Sequence, residues 1–288
     1  RDSIFAEALG LPLRFTTKKI LGHTIHLAIA GAGPPLILIH GINIGWGQWY
    51  PNITDLAAHY TLYLIDLPGA GSSSSLQYAT SHLERDFVEP IEGLIEELGL
   101  RNVRMIGHSF GAWIVSSIAA RGRIDLEAII LISPLGFSSY VPPSFYPITL
   151  YPTAWLLSNV VLRPTIKNLQ SVIGKMLNPN AVLPNEFWEY YQAVITSHAH
   201  PFLFIHRLCS PFRMKHELGL GRELEKIGAR VLLILGENDP LLEGSRVASE
   251  AQKVQRLVAK TYPHTGHVPA LEQPVQFNQD ALEFLSSI

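Results

Sequence analysis

Hydrophobic residues along this chain occur in short continuous runs that alternate with stretches of helical spacing. Runs of this length are typical of strands buried on both faces, and the stretches between them predict helices. Strands that alternate with helices predict an α/β fold with a mostly parallel central sheet and helices on both faces. The predicted strands of the parallel part are residues 36–40, 60–66, 103–106, 128–133, 231–235 and 257–262.

The flanking segments complete this pattern. Residues 14–19 and 23–30, separated by Leu21-Gly22, predict an antiparallel β-hairpin before the parallel strands. Ser81 and Glu84 form a capping box that predicts the start of a helix ending near Leu98. The four serines at 72–75 predict a flexible loop. Further helices are predicted at residues 49–59, 245–255 and from Pro274.

The composition changes between residues 134 and 220. This segment holds ten of the 20 prolines and thirteen of the 27 aromatic residues, and it contains no strong strand pattern, although 185–196 and 201–208 have helical spacing. We therefore predict a helical cap, residues 134–220, inserted between two parts of the core, residues 1–133 and 221–288.

The chain has 288 residues, 47% of them hydrophobic, and a formal net charge of −2. A near-neutral protein lacks the excess positive charge that binds phosphate groups, so we expect no nucleic-acid partner. Cys209 is the only cysteine, which excludes an internal disulfide and is compatible with a reducing, cytoplasmic compartment. Two runs without charged residues, 20–54 and 128–162, are interrupted by glycine and proline, so we expect no membrane-spanning helix.

The pentapeptide Gly107-His108-Ser109-Phe110-Gly111 lies between a predicted strand and a predicted helix. Glycines two residues on either side of Ser109 remove Cβ atoms that would collide in a sharp turn, so the hydroxyl can stand at its tip. The N–H of Phe110, at the start of the helix, can bind developing negative charge beside it. The stretch therefore predicts a nucleophilic serine.

A serine needs a base to remove its proton and a third group to orient that base. His267 and Asp239 each follow a predicted strand, and sites in such sheets form at the carboxyl ends of the strands. His264 is the main alternative base, and Glu237 is the alternative acid. The side chain of His108 is expected to point away from that of Ser109, and His40 is expected to pack under the loop that it precedes. Asp66 is expected to brace the turn after its strand.

Four landmarks in order resemble the α/β-hydrolase family: His40-Gly41, residues 107–111, residues 236–240 and Gly266-His267. The resemblance covers the chain apart from the predicted cap. It implies a Ser109 nucleophile, a His267 base and an orienting Asp239. It also implies an oxyanion hole formed by the N–H groups of Ile42 and Phe110.

We expect a serine hydrolase of carboxylic esters with an apolar acyl or alcohol group, requiring no cofactor and no metal. Two alternatives stay open: a C–C bond hydrolase of ring-cleavage products, and a ligand receptor with little turnover.

A metal at the histidines 198, 200 and 206 is disfavoured, because no acidic residue lies near them to join the site. The predicted cap supplies the residues expected to line the pocket: Trp155, Trp188, Tyr191 and Phe202. An apolar face that rests on a membrane is another interpretation for Phe137, Tyr140, Phe145, Tyr146 and Tyr151.

Overall fold

The computed structural model describes residues 2, 5, 9–76, 82–137, 150–156, 165–198 and 216–287. Eight strands lie within these residues: β1 (Arg14–Ile20), β2 (His23–Ala30), β3 (Pro35–Ile39), β4 (Thr61–Ile65), β5 (Val103–His108), β6 (Leu126–Ile132), β7 (Arg230–Gly236) and β8 (Leu257–Tyr262). They form one sheet in the order β1-β2-β4-β3-β5-β6-β7-β8.

Most neighbouring strands of the sheet are parallel. The first two form the predicted hairpin, with Leu21 and Gly22 in left-handed conformations between them, and β2 is also antiparallel to β4. Every other pair, from β4–β3 to β7–β8, is parallel. The predicted α/β class with a mostly parallel sheet is confirmed.

Alternate side chains of each central strand face opposite sides of the sheet, as the period of two requires. In β3, Ile37 and Ile39 belong to one buried cluster, whereas Leu36 and Leu38 belong to the other. Both faces therefore bury apolar side chains, which explains why the strands appear in the sequence as continuous apolar runs.

The helices cover both faces of the sheet. One cluster includes side chains of the helices Glu89–Glu97 and Phe110–Arg121, and the opposite cluster includes side chains of the helices Tyr50–Ala57 and Pro274–Ser286. The helices are α1 (Tyr50–Ala57), α2 (Glu89–Glu97), α3 (Phe110–Arg121), α4 (Tyr151–Leu156), α5 (Ile166–Ile173), α6 (Asn185–Ser197), α7 (Gly244–Ala251), α8 (Pro269–Glu272) and α9 (Pro274–Ser286), with 3₁₀ turns at Trp46–Trp49 and Gly221–Lys226. Across the described ranges, none has the length and apolar character needed to cross a bilayer.

The helix predicted to start at Ser81 differs in detail. Glu84–Val88 forms a π-helical turn, and regular α-helix begins only at Glu89, just before Pro90. Proline has no N–H, and it fits the first turn of an α-helix because the N–H groups of that turn have no acceptor within the helix. The regular α-helix therefore begins where Pro90 can occupy its first turn. Ser81 of the predicted capping box lies outside the described residues.

Part of the predicted cap is described. The helix expected at residues 185–196 is confirmed as α6, with Phe187, Trp188, Tyr190 and Tyr191 buried. The helix expected at 201–208 lies outside the described residues. The limits of the predicted cap stay a prediction.

Candidate active site

Ser109 stands at the turn between β5 and α3 in an uncommon backbone conformation, with φ +54° and ψ −113°. Its backbone is held on both sides: the N–H donates to the carbonyl of Ile132 at 2.8 Å, and the carbonyl accepts from Trp113 at 3.1 Å and from Leu135 at 3.2 Å. A non-glycine residue at positive φ costs free energy, so this strain is maintained by the surrounding structure.

The two glycines of the pentapeptide are required by close packing. A Cβ at Gly107 would lie 2.6 Å from the carbonyl oxygen of Gly111, and a Cβ at Gly111 would lie 2.5 Å from the carbonyl oxygen of His40. Larger side chains would push the new helix away from the sheet and displace the serine.

The structure brings Ser109, His267 and Asp239 together at the carboxyl edge of the sheet. The Ser109 hydroxyl lies 3.0 Å from Nε2 of His267, and Nδ1 of His267 lies 2.8 Å from Oδ2 of Asp239. A carboxylate only accepts hydrogen bonds, so the ring hydrogen is on Nδ1 and Nε2 is free to accept from the hydroxyl. This is the arrangement that activates a serine as a nucleophile.

Asp239 is held as an anion. Burial by itself raises the pKa of this carboxyl, but the hydrogen bond with His267 and the N–H of Leu241 help to lower the pKa below its ordinary value. Oδ1 accepts from Leu241 at 2.8 Å and from Leu242 at 3.2 Å, which leaves Oδ2 for the imidazole. The carboxylate is therefore oriented as well as ionised.

The alternative base and acid contact each other, away from the serine. His264 and Glu237 are both exposed, and the N–H of His264 donates to Oε2 of Glu237 at 3.1 Å. Neither side chain takes part in the hydrogen bonds that join Ser109, His267 and Asp239.

His40 packs under the loop that it precedes, as predicted. Its Nδ1 bonds to the carbonyl of Gly41, and its Nε2 accepts from the N–H of Leu67 at 3.0 Å. Burial lowers the pKa of His40 despite the opposing charge of Asp66. His40 is therefore a neutral imidazole whose two ring nitrogens bond the backbone at Gly41 and at Leu67.

His108 links the turn to the loop of His267. Its Nε2 lies 2.9 Å from the carbonyl oxygen of His267 and its Nδ1 lies 3.1 Å from Oε1 of Gln48, and a neutral ring donates to one of these two oxygens. The same amide oxygen accepts the N–H of Gly41 at 3.0 Å. One buried glutamine thus connects the loop after β3 with the loop that carries Ser109.

The predicted oxyanion donors, Ile42 and Phe110, follow two neighbouring strands of the sheet. Ile39 pairs with Gly107 in the parallel register of β3 and β5, and Ile42 and Phe110 each follow three residues later. Adjacent strands are about 5 Å apart. Both residues therefore follow the carboxyl edge of the sheet, and their role as an oxyanion hole stays a prediction.

Asp66 braces the loops around this edge. Its carboxylate accepts from the N–H groups of Trp46 and Ser72, each at 2.8 Å, and bonds Nδ1 of His26 at 2.9 Å. Burial raises the pKa of Asp66, but the hydrogen bond with His26 and the N–H of Ser72 help to lower it overall. The brace therefore reaches the loop after β3 as well as the turn after β4.

The prediction of a flexible loop at the four serines is wrong at Ser73. Its side chain is buried, its hydroxyl donates to the carbonyl of Asp66 at 2.6 Å, and its oxygen accepts the N–H of His26 at 2.8 Å. Serine-rich composition predicts a loop, but it does not show that one hydroxyl is fixed by a distant strand.

The predicted pocket residues have different environments. Trp188 and Tyr191 are buried on α6 and pack on Phe187, with ring centroids 5.4 and 6.2 Å away respectively. Burial raises the pKa of Tyr191. Trp155, on α4, is 46% exposed, and Phe202 lies outside the described residues. Their role in substrate binding stays a prediction.

The exposed apolar face predicted for membrane contact does not include Phe137. That side chain is 2% exposed and belongs to the same buried cluster as Trp113 and Leu218. Tyr140, Phe145 and Tyr146 lie outside the described residues, and the side chain of Tyr151 is not described. Exposed apolar side chains on this part of the chain are Leu150, Trp155 and Leu156.

The histidines considered for a metal do not form a described site. His198 bonds Ser75 and the carbonyl of Gly71, each at 3.1 Å, whereas 200 and 206 lie outside the described residues. Within the parts of the chain that the structure describes, no cluster of His, Cys, Asp and Glu is suited to a metal ion.

Sequence reasoning missed two polar residues at the site, Gln48 and Glu272. Gln48 is completely buried within an otherwise apolar 3₁₀ turn, and this contrast is a weak signal that it bonds something. Glu272 ends α8 and accepts N–H groups on both sides of His267. An acidic side chain near the start of a helix can accept backbone N–H groups that precede the helix. The position of Glu272, five residues after His267, is therefore a usable signal for these contacts.

Buried neutral histidines should make the protein less stable as the pH falls below about 6.5, the ordinary histidine pKa. Burial, reinforced by the neighbouring His267, lowers the pKa of His108 in the folded protein to about 3. Between these values the unfolded chain binds a proton that the folded protein does not, so each such histidine removes about 1.4 kcal/mol per pH unit. We expect His108→Gln to lessen the slope of unfolding free energy against pH by about this amount, measured by urea unfolding from pH 7.5 to 4.5.

The control for this measurement is His264→Gln, which makes the same change at an exposed histidine. An equal slope in His108→Gln and in the unmodified protein would show that His108 is protonated in the folded state, contrary to this prediction.

A strained serine at a strand-to-helix turn, with an imidazole in reach, places the chain among the hydrolases that use a nucleophile elbow. The model of the alpha/beta hydrolase family matches residues 36–280. The chain belongs to this family.

Individual relatives include enzymes of more than one reaction type. Carboxylesterase YbfK of Bacillus subtilis is 25% identical over 270 residues, which are 90% of this chain and 83% of the relative. The solved structure of naproxen esterase (carboxylesterase NP) from Bacillus subtilis has a TM-score of 0.77, 21% identity and coverage of 99% and 96% of the two chains. A meta-cleavage product hydrolase from Pseudomonas fluorescens has a TM-score of 0.79, 18% identity and coverage of 94% and 97%. At these identities the two structures show the shared fold alone.

Proposed function

We propose that the protein hydrolyses carboxylic esters through an acyl-enzyme formed on Ser109. The observation that carries this proposal is the continuous hydrogen-bonded series from the Ser109 hydroxyl through His267 to Asp239. The similarity to a carboxylesterase along 90% of the chain supports the same reaction.

In the first half of the proposed reaction, Ser109 Oγ attacks the ester carbonyl carbon while His267 Nε2 takes the hydroxyl proton. The negative charge that develops on the carbonyl oxygen is stabilised by the N–H groups of Ile42 and Phe110. Collapse of the tetrahedral intermediate breaks the bond to the alcohol, which leaves with the proton returned from His267.

In the second half, a water molecule takes the place of the alcohol. His267 removes a proton from the water as it attacks the acyl carbon, and then returns that proton to Ser109 as the acid leaves. Asp239 holds the Nδ1 hydrogen throughout and stabilises the imidazolium that forms in each half-reaction.

We further propose that the acyl or alcohol part of the substrate is apolar. Aromatic residues of the predicted cap support this preference, because binding pockets for small molecules are lined mainly by apolar and aromatic side chains. Trp188 and Tyr191, both buried on α6, are the described candidates for this pocket.

A panel of p-nitrophenyl esters of increasing acyl length, with one lactone and one ring-cleavage dienone, tests the proposed reaction. We expect many turnovers per chain on the esters and a preference among acyl lengths. Faster turnover of the dienone than of any ester would favour C–C bond hydrolysis instead. A burst of about one product per chain without steady turnover would favour a ligand receptor.

The same panel separates pocket from packing for Trp188 and Tyr191. If either lines the pocket, its change to Ala should alter the preferred acyl length or raise KM several-fold, since such contacts contribute about 1–3 kcal/mol to binding. Ser109 should still react with a small phosphonate. An unchanged acyl-length profile in both variants, with a lowered Tm, would assign both rings to the core.

A further inference from the structure

The carboxylate of Glu272 brackets the residue proposed as the base. Its Oε2 accepts the N–H of Gly266 at 2.9 Å, and its Oε1 accepts the N–H of Val268 at 3.0 Å. These are the residues directly before and after His267. Oε2 also accepts the N–H of Asn178, in the predicted cap, at 2.7 Å.

The backbone of His267 itself is fixed by the same part of the predicted cap. Its N–H donates to the carbonyl of Met176 at 2.7 Å. A Cβ at Gly266 would lie 2.8 Å from the carbonyl carbon of Leu177 and 2.9 Å from the nitrogen of Asn178, so the two segments are in close contact. Three consecutive N–H groups, at 266, 267 and 268, therefore have acceptors, and Glu272 supplies two of them.

This fixation matters because proton transfer requires accurate placement of the imidazole. Nε2 of His267 lies 3.0 Å from the Ser109 hydroxyl and Nδ1 lies 2.8 Å from Asp239. A shift of the loop by about 1 Å would break one of these hydrogen bonds, and displacements of that size cost on the order of 100-fold in rate.

Only a carboxylate satisfies all three donors. It accepts at both oxygens, whereas an amide of the same shape accepts at one oxygen and presents an NH₂ group at the other position. In Glu272→Gln, at least one N–H of the loop or of Asn178 would face another donor. The change therefore alters the loop without creating a cavity.

We propose that Glu272 is a positioning residue that holds the loop of His267 in the geometry needed for proton transfer. This role rests on the proposed function, in which His267 is the base. Glu272 accepts only backbone N–H groups in the contacts described, so it acts through His267.

The test compares Glu272→Gln with Glu283→Gln, a control in which an exposed carboxylate on α9 is changed. We expect Glu272→Gln to lower kcat for a short p-nitrophenyl ester by about 10- to 100-fold, with KM changed less than about threefold. Labelling of Ser109 by a fluorophosphonate should slow by a similar factor and still reach one equivalent per chain. Glu283→Gln should match the unmodified protein.

Complete labelling shows that the variant is folded, so a slower rate reports the placement of the base. In a His267→Ala background, Glu272→Gln should lower the residual kcat/KM by less than about twofold, because its effect passes through the missing imidazole. A loss as large as in the unmodified background would overturn the role.

Two further outcomes separate this role from the proposed function. Inactive Ser109→Ala together with a normal kcat in Glu272→Gln would overturn the role of Glu272 alone. Continued turnover in both variants would overturn the proposed function and, with it, the role assigned to Glu272.

Discussion

Replacing Ser109 with alanine is expected to abolish ester turnover while leaving the fold intact. The change removes one oxygen atom from a side chain whose hydroxyl contacts His267, and the strained backbone remains held by the main-chain bonds to Ile132, Trp113 and Leu135. Loss of the nucleophile in a site of this kind costs roughly 10⁴- to 10⁶-fold in kcat, leaving what binding and the oxyanion hole supply. Steady-state kinetics on the preferred ester measure this loss.

The matched control is Ser249→Ala, which changes an exposed serine on α7. It should keep normal kcat and full labelling by a fluorophosphonate, whereas Ser109→Ala should show no labelling and an unchanged Tm within a few degrees. Retention of more than a tenth of the activity in Ser109→Ala would mean that another residue is the nucleophile.

The same variant tests whether the three residues act as one unit. His267→Ala alone should be nearly as severe as Ser109→Ala, and adding it to Ser109→Ala should cause little further loss. A further loss of many-fold in the double variant would show that His267 contributes to catalysis by a route that does not involve Ser109.

The central sheet was predictable because its signals are local. Each buried strand is a continuous apolar run. The turn at Ser109 is marked by two glycines, and a Cβ at either of them would collide with backbone atoms. The carboxyl edge of a parallel sheet then limits where a base and an acid can lie. This limit predicts from the sequence that Asp239 and His267 lie in the candidate site.

Most of the supporting contacts are not predictable, because they join residues far apart in sequence. Gln48 meets His108 across 60 positions, and Glu272 meets Asn178 across 94. Composition does not specify such pairings. The same reason explains Ser73, whose hydroxyl is fixed by Asp66 and by the backbone of β2.

The substitution Asp239→Asn is expected to lower kcat by about 10⁴-fold with little change in KM. The Asp239 side chain now accepts the Nδ1 hydrogen of His267 at 2.8 Å. An amide can turn its NH₂ group toward Nδ1 and so favour the ring form that carries its hydrogen on Nε2. That form cannot take the proton of Ser109, and the imidazolium would also lose the adjacent negative charge.

Glu237→Gln is the matched change, because it also replaces a carboxylate by its amide, two residues earlier in the same loop. Glu237 is exposed and accepts the N–H of His264, so this variant should keep kcat within about twofold of the unmodified protein. Kinetics of both variants on one ester, with Tm as a check of folding, decide between the two carboxylates. A larger loss in Glu237→Gln than in Asp239→Asn would assign the orienting acid to Glu237 and would require the loop after β7 to rearrange when substrate binds.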